Sequence, residues 1–198
     1  KREGYIIVSL GWLLMSLSGM IPYLATGSIN EFSRAFFETT SGYTATGATI
    51  LDDVEALDYS ILYWRSLTQW IGGMGVIMLG LLIFSRALGG GMALARAELT
   101  GPSVSNLGMT LESTARKLWG IYVGLTLLQA ALLLQFTKMG AFDSINYALT
   151  TMPSGGFGTT DEGIMHFDDV LIESIIMLFM LLTCINFSLH LFPIYFCL

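Results

Sequence analysis

Asn30–Thr40 running into Thr40-Ser41-Gly42-Tyr43-Thr44, and Ser144–Thr151 followed by Ser154-Gly155-Gly156-Phe157-Gly158, are two short amphipathic pieces that each lead to a glycine turn. At about 8 to 11 residues each, neither can cross about 30 Å of hydrocarbon at 1.5 Å per residue. They lie between four apolar runs that can: roughly Gly4–Ala25, Tyr59–Ser85, Leu118–Met139 and Val170–Phe192. A shift of 114 residues lays Tyr5–Ala25 on Trp119–Met139, Gly42-Tyr43 on Gly156-Phe157 and Tyr59 on Glu173. The unit of span, re-entrant helix, glycine turn and span therefore occurs twice. Each unit crosses twice and returns to its starting side, so the repeats are parallel about an axis along the membrane normal. The predicted fold is an all-α polytopic membrane protein. Residues 1–86 form a first pore repeat, 87–110 a linker and 111–198 a second pore repeat.

Composition agrees. Of 198 residues, 54% are apolar and 12% charged, with a mean hydropathy of +0.67, against about 25% charged in a soluble globular protein. A net charge of −6 offers no basic groove for nucleic acid. Cys184 and Cys197 have neither zinc spacing nor a partner framework, and read as small core residues. No GxxxxGK[ST] loop is present, so ATP hydrolysis is excluded and no enzyme chemistry is expected. The chain starts at Lys1-Arg2-Glu3, but the apolar run continues past 15 residues with no cleavage site, which indicates a span and not a leader.

Basic residues orient the spans. Lys1, Arg2, Arg86, Arg96, Arg116 and Lys117 fall on the side of the N-terminus and linker, which places that side in the cytoplasm. Glu31, Glu38, Asp52, Asp53, Glu55, Asp58, Asp143, Asp161, Glu162, Asp168, Asp169 and Glu173 then lie on or near the outer face. Such a surface either concentrates cations at a pore mouth or is simply solvated.

Non-helical backbone at membrane depth persists only where it is buried in protein or lines water. Glycine allows the unusual φ angles that aim successive carbonyls to one side, and such carbonyls can replace the water around a monovalent cation. A pore helix entering from outside also points its partly negative C-terminus at the membrane centre. Arg65 either orders Glu38 by a charge-assisted bond or snorkels to the interface. Gly72-Gly73-Met74-Gly75 is a hinge or, more commonly for such residues, a close-packing surface. Asn186 and His190, one helical turn apart, line the path or sense pH or, more commonly for such residues, bond between helices. Tyr59, Tyr63, Trp64 and Trp70 outside, with Tyr5, Trp119 and Tyr122 inside, fit interfacial belts.

Phe36-Phe37-Glu38-Thr39-Thr40-Ser41-Gly42-Tyr43-Thr44-Ala45-Thr46-Gly47-Ala48-Thr49 and Tyr63-Trp64-Arg65-Ser66-Leu67-Thr68-Gln69-Trp70-Ile71-Gly72-Gly73-Met74-Gly75 closely resemble the first pore repeat of the Trk/Ktr/HKT potassium transporters, Trk-type subunits being nearest. Arg96-Ala97-Glu98-Leu99-Thr100-Gly101-Pro102 resembles their cytoplasmic segment, and Gly155-Gly156-Phe157-Gly158-Thr159-Thr160-Asp161 their second filter loop. The resemblance implies potassium uptake across a bacterial or archaeal cell membrane, with potassium as cargo and no covalent cofactor. By it, the filter carbonyls belong to Thr40, Ser41, Gly42, Tyr43, Ser154, Gly155, Gly156 and Phe157, with Glu38 and Arg65 in support. A serine in place of the first filter glycine goes with sodium selectivity in related plant transporters, so glycine here implies potassium. Met152-Pro153 departs from the family pattern and removes an amide donor below the second strand.

Family members carry four repeats around one pore, and two are found here. The expectation is therefore a fragment, or a half that pairs with another chain, and the lack of basic residues after the last span points the same way. The resemblance also implies full-length subunits that pair as homodimers and a cytoplasmic ring of nucleotide-binding regulatory subunits docking near the linker. Two other readings compete: an ion-coupled transporter of another solute, which needs an intramembrane ionisable group such as Glu38, and a non-conducting membrane subunit.

Overall fold

A computed structural model describes residues 2–75 and 111–184, and these are helical with connecting loops and no strand. The linker 87–110, the C-terminal end of the second predicted span, Asn186, His190 and Cys197 lie outside the described residues. Two helices, Val8–Thr26 with its break and Arg116–Phe136, are long and apolar enough to cross a membrane, and Val170–Cys184 is a shorter apolar helix.

The first span is two helices, α1 (Arg2–Gly19) and α2 (Ile21–Thr26). Pro22 at the start of α2 has no N–H to continue the helical ladder, which accounts for the break. Trp64 Nε1 donates to the Gly19 carbonyl beside that break, at 2.9 Å. Gly27, left-handed at φ 72°, ends α2. The short helix α3 (Phe32–Tyr43) follows, then a loop, then α4 (59–75). The second unit repeats the order: α5 (Leu111–Phe136), the short helix α6 (Ala141–Thr151), a loop with a 3₁₀ turn at Gly163–Phe167, and α7 (Val170–Cys184).

Each unit has its own apolar core. Met20, Tyr23, Ile29, Ala35 and Ile61 form one, and Leu133, Met139, Tyr147, Ile172 and Ile176 the other. A third cluster of Met74, Tyr122, Met152 and Phe179 joins the units. There Tyr122 is fully buried, with its hydroxyl donating to the Trp70 carbonyl at 3.0 Å, while Trp70 Nε1 donates to Thr126 Oγ1 at 3.0 Å. These two rings hold α4 to α5 and do not sit in an interfacial belt, whereas Tyr59 and Tyr63 are exposed. Cys184 is also exposed and is not a core residue.

The glycines of α4 serve packing. A Cβ on Gly72 would strike the Tyr43 carbonyl, one on Gly73 would strike Pro153, and one on Gly75 would press on the Trp12 ring at 3.3 Å. Adjacent glycines thus receive the bases of the two loops, one each. Gly72→Ala puts a methyl against backbone that cannot swing away, so it lowers the thermal midpoint of the detergent-solubilised chain by several degrees. Gly124→Ala, where a Cβ meets nothing within 4 Å, holds or raises the midpoint, since alanine is favoured in helices by about 1 kcal/mol. Equal midpoints in the two variants would contradict this packing.

Candidate functional site

The first turn does not lie where the glycine at 42 suggests. Thr40, Ser41, Gly42 and Tyr43 are the last four residues of α3, and Ser41, Gly42 and Tyr43 are buried. Three of their carbonyls are already used: Thr40 O accepts from Thr44 N–H at 2.9 Å, Gly42 O from Ala45 N–H at 2.9 Å and Ser41 O from Thr46 N–H at 3.0 Å. Tyr43 O faces Gly72. These four residues are therefore a helix end, which corrects the reading of them as an open turn. Gly42 stays helical because α4 packs on it, with Thr68 where a Cβ would be.

The turn begins at Thr44. Ala45 has φ 52° and Gly47 φ 76°, while in the second unit Ser154 has φ 54° and Gly156 φ 84°. The hydrogen bonds match as well: Ser154 N–H to Thr151 O at 2.8 Å and Gly155 N–H to Thr150 O at 2.9 Å repeat those of Ala45 and Thr46. Ala45 pairs with Ser154 and Gly47 with Gly156, a separation of 109 residues and not 114. The counterpart of Gly156 is Gly47, and that of Gly42 is Thr151. The similarity of Gly42-Tyr43 to Gly156-Phe157 is one of composition and not of conformation.

Arg65 of α4 connects the loops. Its Nε donates to Glu38 Oε1 at 3.0 Å, one terminal nitrogen to Thr49 Oγ1 at 3.3 Å and the other to the Gly158 carbonyl at 3.3 Å. The guanidinium lies 4.3 Å from the centroid of the Phe157 ring. Glu38 Oε2 accepts from Ile50 N–H at 3.1 Å, and Thr49 Oγ1 donates to Oε1 at 2.9 Å. With side-chain exposures of 2% and 0%, Arg65 does not snorkel and Glu38 is not an outer-surface acid. One turn further along, Gln69 donates from Nε2 to Gly155 O at 2.8 Å and accepts at Oε1 from Phe157 N–H at 3.2 Å. Sequence reasoning missed Gln69; the available signal was an amide in an apolar span one turn from a buried arginine, since a buried amide must find partners.

Most of the acids in the loops that follow α3 and α6 are exposed, and among them Asp161 bridges the two loops. Its Oδ1 accepts from Val54 N–H at 2.6 Å and its N–H donates to Glu55 Oε1 at 3.4 Å, which ties the two loops together. Asp143 lies in the first turn of α6 and accepts from Thr159 Oγ1 at 2.7 Å. No group of three or more His, Cys, Asp or Glu suited to a metal ion occurs among the described residues.

Removing one member of a buried ion pair strands the other, at a cost of about 3–5 kcal/mol. Arg65→Met alone should therefore destabilise the chain by about that much, and Glu38→Gln in addition should recover a large part. A double-mutant cycle on unfolding midpoints checks this. Additive effects of the two substitutions would show that the pair is not coupled.

Residues 1–195 match the family model described as TrkH, cation transport protein. The Trk system potassium uptake protein TrkH of Escherichia coli (strain K12) is 42% identical over 192 residues, covering 96% of this chain and 40% of the relative. TrkG of the same organism is 37% identical over 192 residues, with 95% and 39% covered. The crystal structure of the potassium transporter TrkH from Vibrio parahaemolyticus superposes with a TM-score of 0.77 at 35% identity, over 96% of this chain and 37% of that one. The chain thus spans about 40% of the length of the curated relatives it matches, and it belongs to the TrkH family of cation transport proteins.

Proposed function

We propose that this chain supplies two of the filter strands of a potassium pore. The observation that carries the reading is the matched pair of loops, each leaving the C-terminus of a short pore helix and each with two residues at positive φ. Among the described residues, the carbonyls of Ala45, Thr46, Gly47, Ala48, Ser154 and Gly156 accept no hydrogen bond from protein, whereas those of Thr40, Ser41 and Gly42 do. Unpaired carbonyls at membrane depth need an ion or water. The filter residues are accordingly Ala45–Ala48 in the first strand and Ser154–Phe157 in the second, Gly155 being held from behind by Gln69. The helix ends add partial negative charge, which favours a cation. Glycine stands at both matched positions, Gly47 and Gly156, which supports potassium by the family's association of glycine with that ion.

The remaining strands come from further repeats or a second chain. Full-length subunits paired as homodimers in a bacterial inner membrane, with the N-terminus and linker facing cytoplasmic nucleotide-binding regulators, complete the proposal. Membrane potential suffices as driving force, because one charge crossing 100 mV releases about 2.3 kcal/mol, roughly a 40-fold accumulation. Transport of another solute by way of Glu38 is disfavoured, since both carboxylate oxygens of Glu38 are already bonded and paired to Arg65.

The test is rubidium-86 uptake into proteoliposomes holding the chain together with the remaining repeats in one polypeptide, and holding the chain alone. Gly156→Asp abolishes uptake. Gly47→Ser lowers rubidium-over-sodium preference by about tenfold, equivalent to about 1.4 kcal/mol, whereas Gly42→Ser lowers thermal stability and leaves the preference unchanged. Selectivity that follows Gly42 and not Gly47 would refute the strand assignment. Uptake by the chain alone would mean that half-pores assemble.

A further inference from the structure

Gln69 is wholly buried in α4, and its carboxamide makes both of its bonds to one backbone segment, the two residues flanking Gly156. The spacing is distinctive. One residue of a neighbouring parallel strand would donate to the carbonyl before a given residue and accept from the amide after it. The Gln69 side chain does the same for Gly156, from a helix. We propose that Gln69 is a positioning residue for ion selectivity, a one-residue strand surrogate that fixes the two peptide planes adjoining Gly156. This proposal rests on the filter reading above and names the group that holds its second strand in shape.

Three further observations bear on it. Gly155 is the only residue type that leaves room for the carboxamide, because a Cβ there would collide with the Gln69 amide group. Gly156 itself has open space around a would-be Cβ and is held at φ 84°, so its conformation is imposed through its neighbours and not by crowding. The first loop has no such clamp among the described residues: its shape is set by Thr44, Ala45 and Thr46 bonding back to α3, whereas Pro153 denies the second loop one of those three bonds. Fixing the Gly155 and Phe157 planes in turn fixes the direction of the Gly156 carbonyl, and ion preference depends on how closely such carbonyls can be held around the ion.

The test uses the chain with its remaining repeats in one polypeptide, in proteoliposomes, with rubidium-86 and sodium-22 as probes, and hydrogen–deuterium exchange as an independent readout. Gln69→Glu is isosteric and keeps the acceptor for Phe157 N–H, but sets a carboxylate oxygen against Gly155 O. Gln69→Met removes both bonds. Rubidium-over-sodium preference falls about tenfold in Gln69→Glu, where one buried hydrogen bond is lost, and by at least as much in Gln69→Met, where both are, and the KM for rubidium rises more than the maximal rate falls. Amide exchange in the peptide holding residues 154–158 accelerates in Gln69→Met, and exchange in residues 44–49 does not. Gly155→Ala displaces the carboxamide from the other side without touching α4, so it reproduces the selectivity loss should the α4 variants fold poorly. Wild-type selectivity in a folded variant overturns the proposal, whether or not exchange has changed. Lack of rubidium uptake by the wild-type protein would instead refute the filter reading, while the exchange comparison would still report whether Gln69 holds the loop.

Discussion

The structure depends on two buried polar side chains of α4. Arg65 and Gln69 occupy successive turns of an apolar span, and both are buried, so every polar atom they bring must be bonded within the protein. Glu38, Thr49 and the Gly158 carbonyl meet the arginine, and Gly155 and Phe157 meet the amide. Satisfying these two side chains draws the first pore helix and the second loop onto the same helix face. The loops are thereby placed relative to one another, which neither could achieve through its own backbone.

Close approach is the second condition. A bond from Gln69 to the backbone of the second loop requires α4 to run against both loop bases, and Gly72 and Gly73 make this possible by presenting no side chain to Tyr43 and Pro153. On the far side, Trp70 and Tyr122 fasten α4 to α5 through hydrogen bonds, which limits how far the helix could move away from the loops. The small residues and the polar ones therefore belong to one arrangement: glycine sets the distance at which the arginine and the amide can act.

The spans and the re-entrant pieces were legible because run length and hydropathy report directly on what can cross a bilayer. The ends of the helices were not. Nothing local in Thr39-Thr40-Ser41-Gly42-Tyr43 forbids a helix, and the residue that decides the matter, Thr68 against Gly42, lies on another element. The left-handed conformation of Ala45 and Ser154 was likewise hidden, because non-glycine residues seldom adopt it and no sequence signal announces it. Glu38 and Arg65 could be nominated as a pair from charge in an apolar context, but that Arg65 also reaches the second repeat, to Gly158 and Phe157, is a property of the packing between units.

The two repeats share a backbone and differ in chemistry at the points that matter most. Ile172 and Ile176 of α7 are buried in one cluster with Tyr147 of α6, so apolar side chains join these two helices where Arg65 of α4 binds Glu38 of α3. Tyr147 stands in the place of Glu38 at the separation of 109 residues that pairs the loops. Replacing a buried ion pair by apolar residues is commonly neutral or stabilising by about 1–4 kcal/mol, so the second unit shows that this backbone needs no charge to hold its pore helix. What an isoleucine at position 65 could not do is donate to Gly158 and lie over Phe157 while also binding Glu38. The ion pair is present in the unit whose last helix must hold a second loop, and its role is to couple the two loops, not to stabilise the fold around either one.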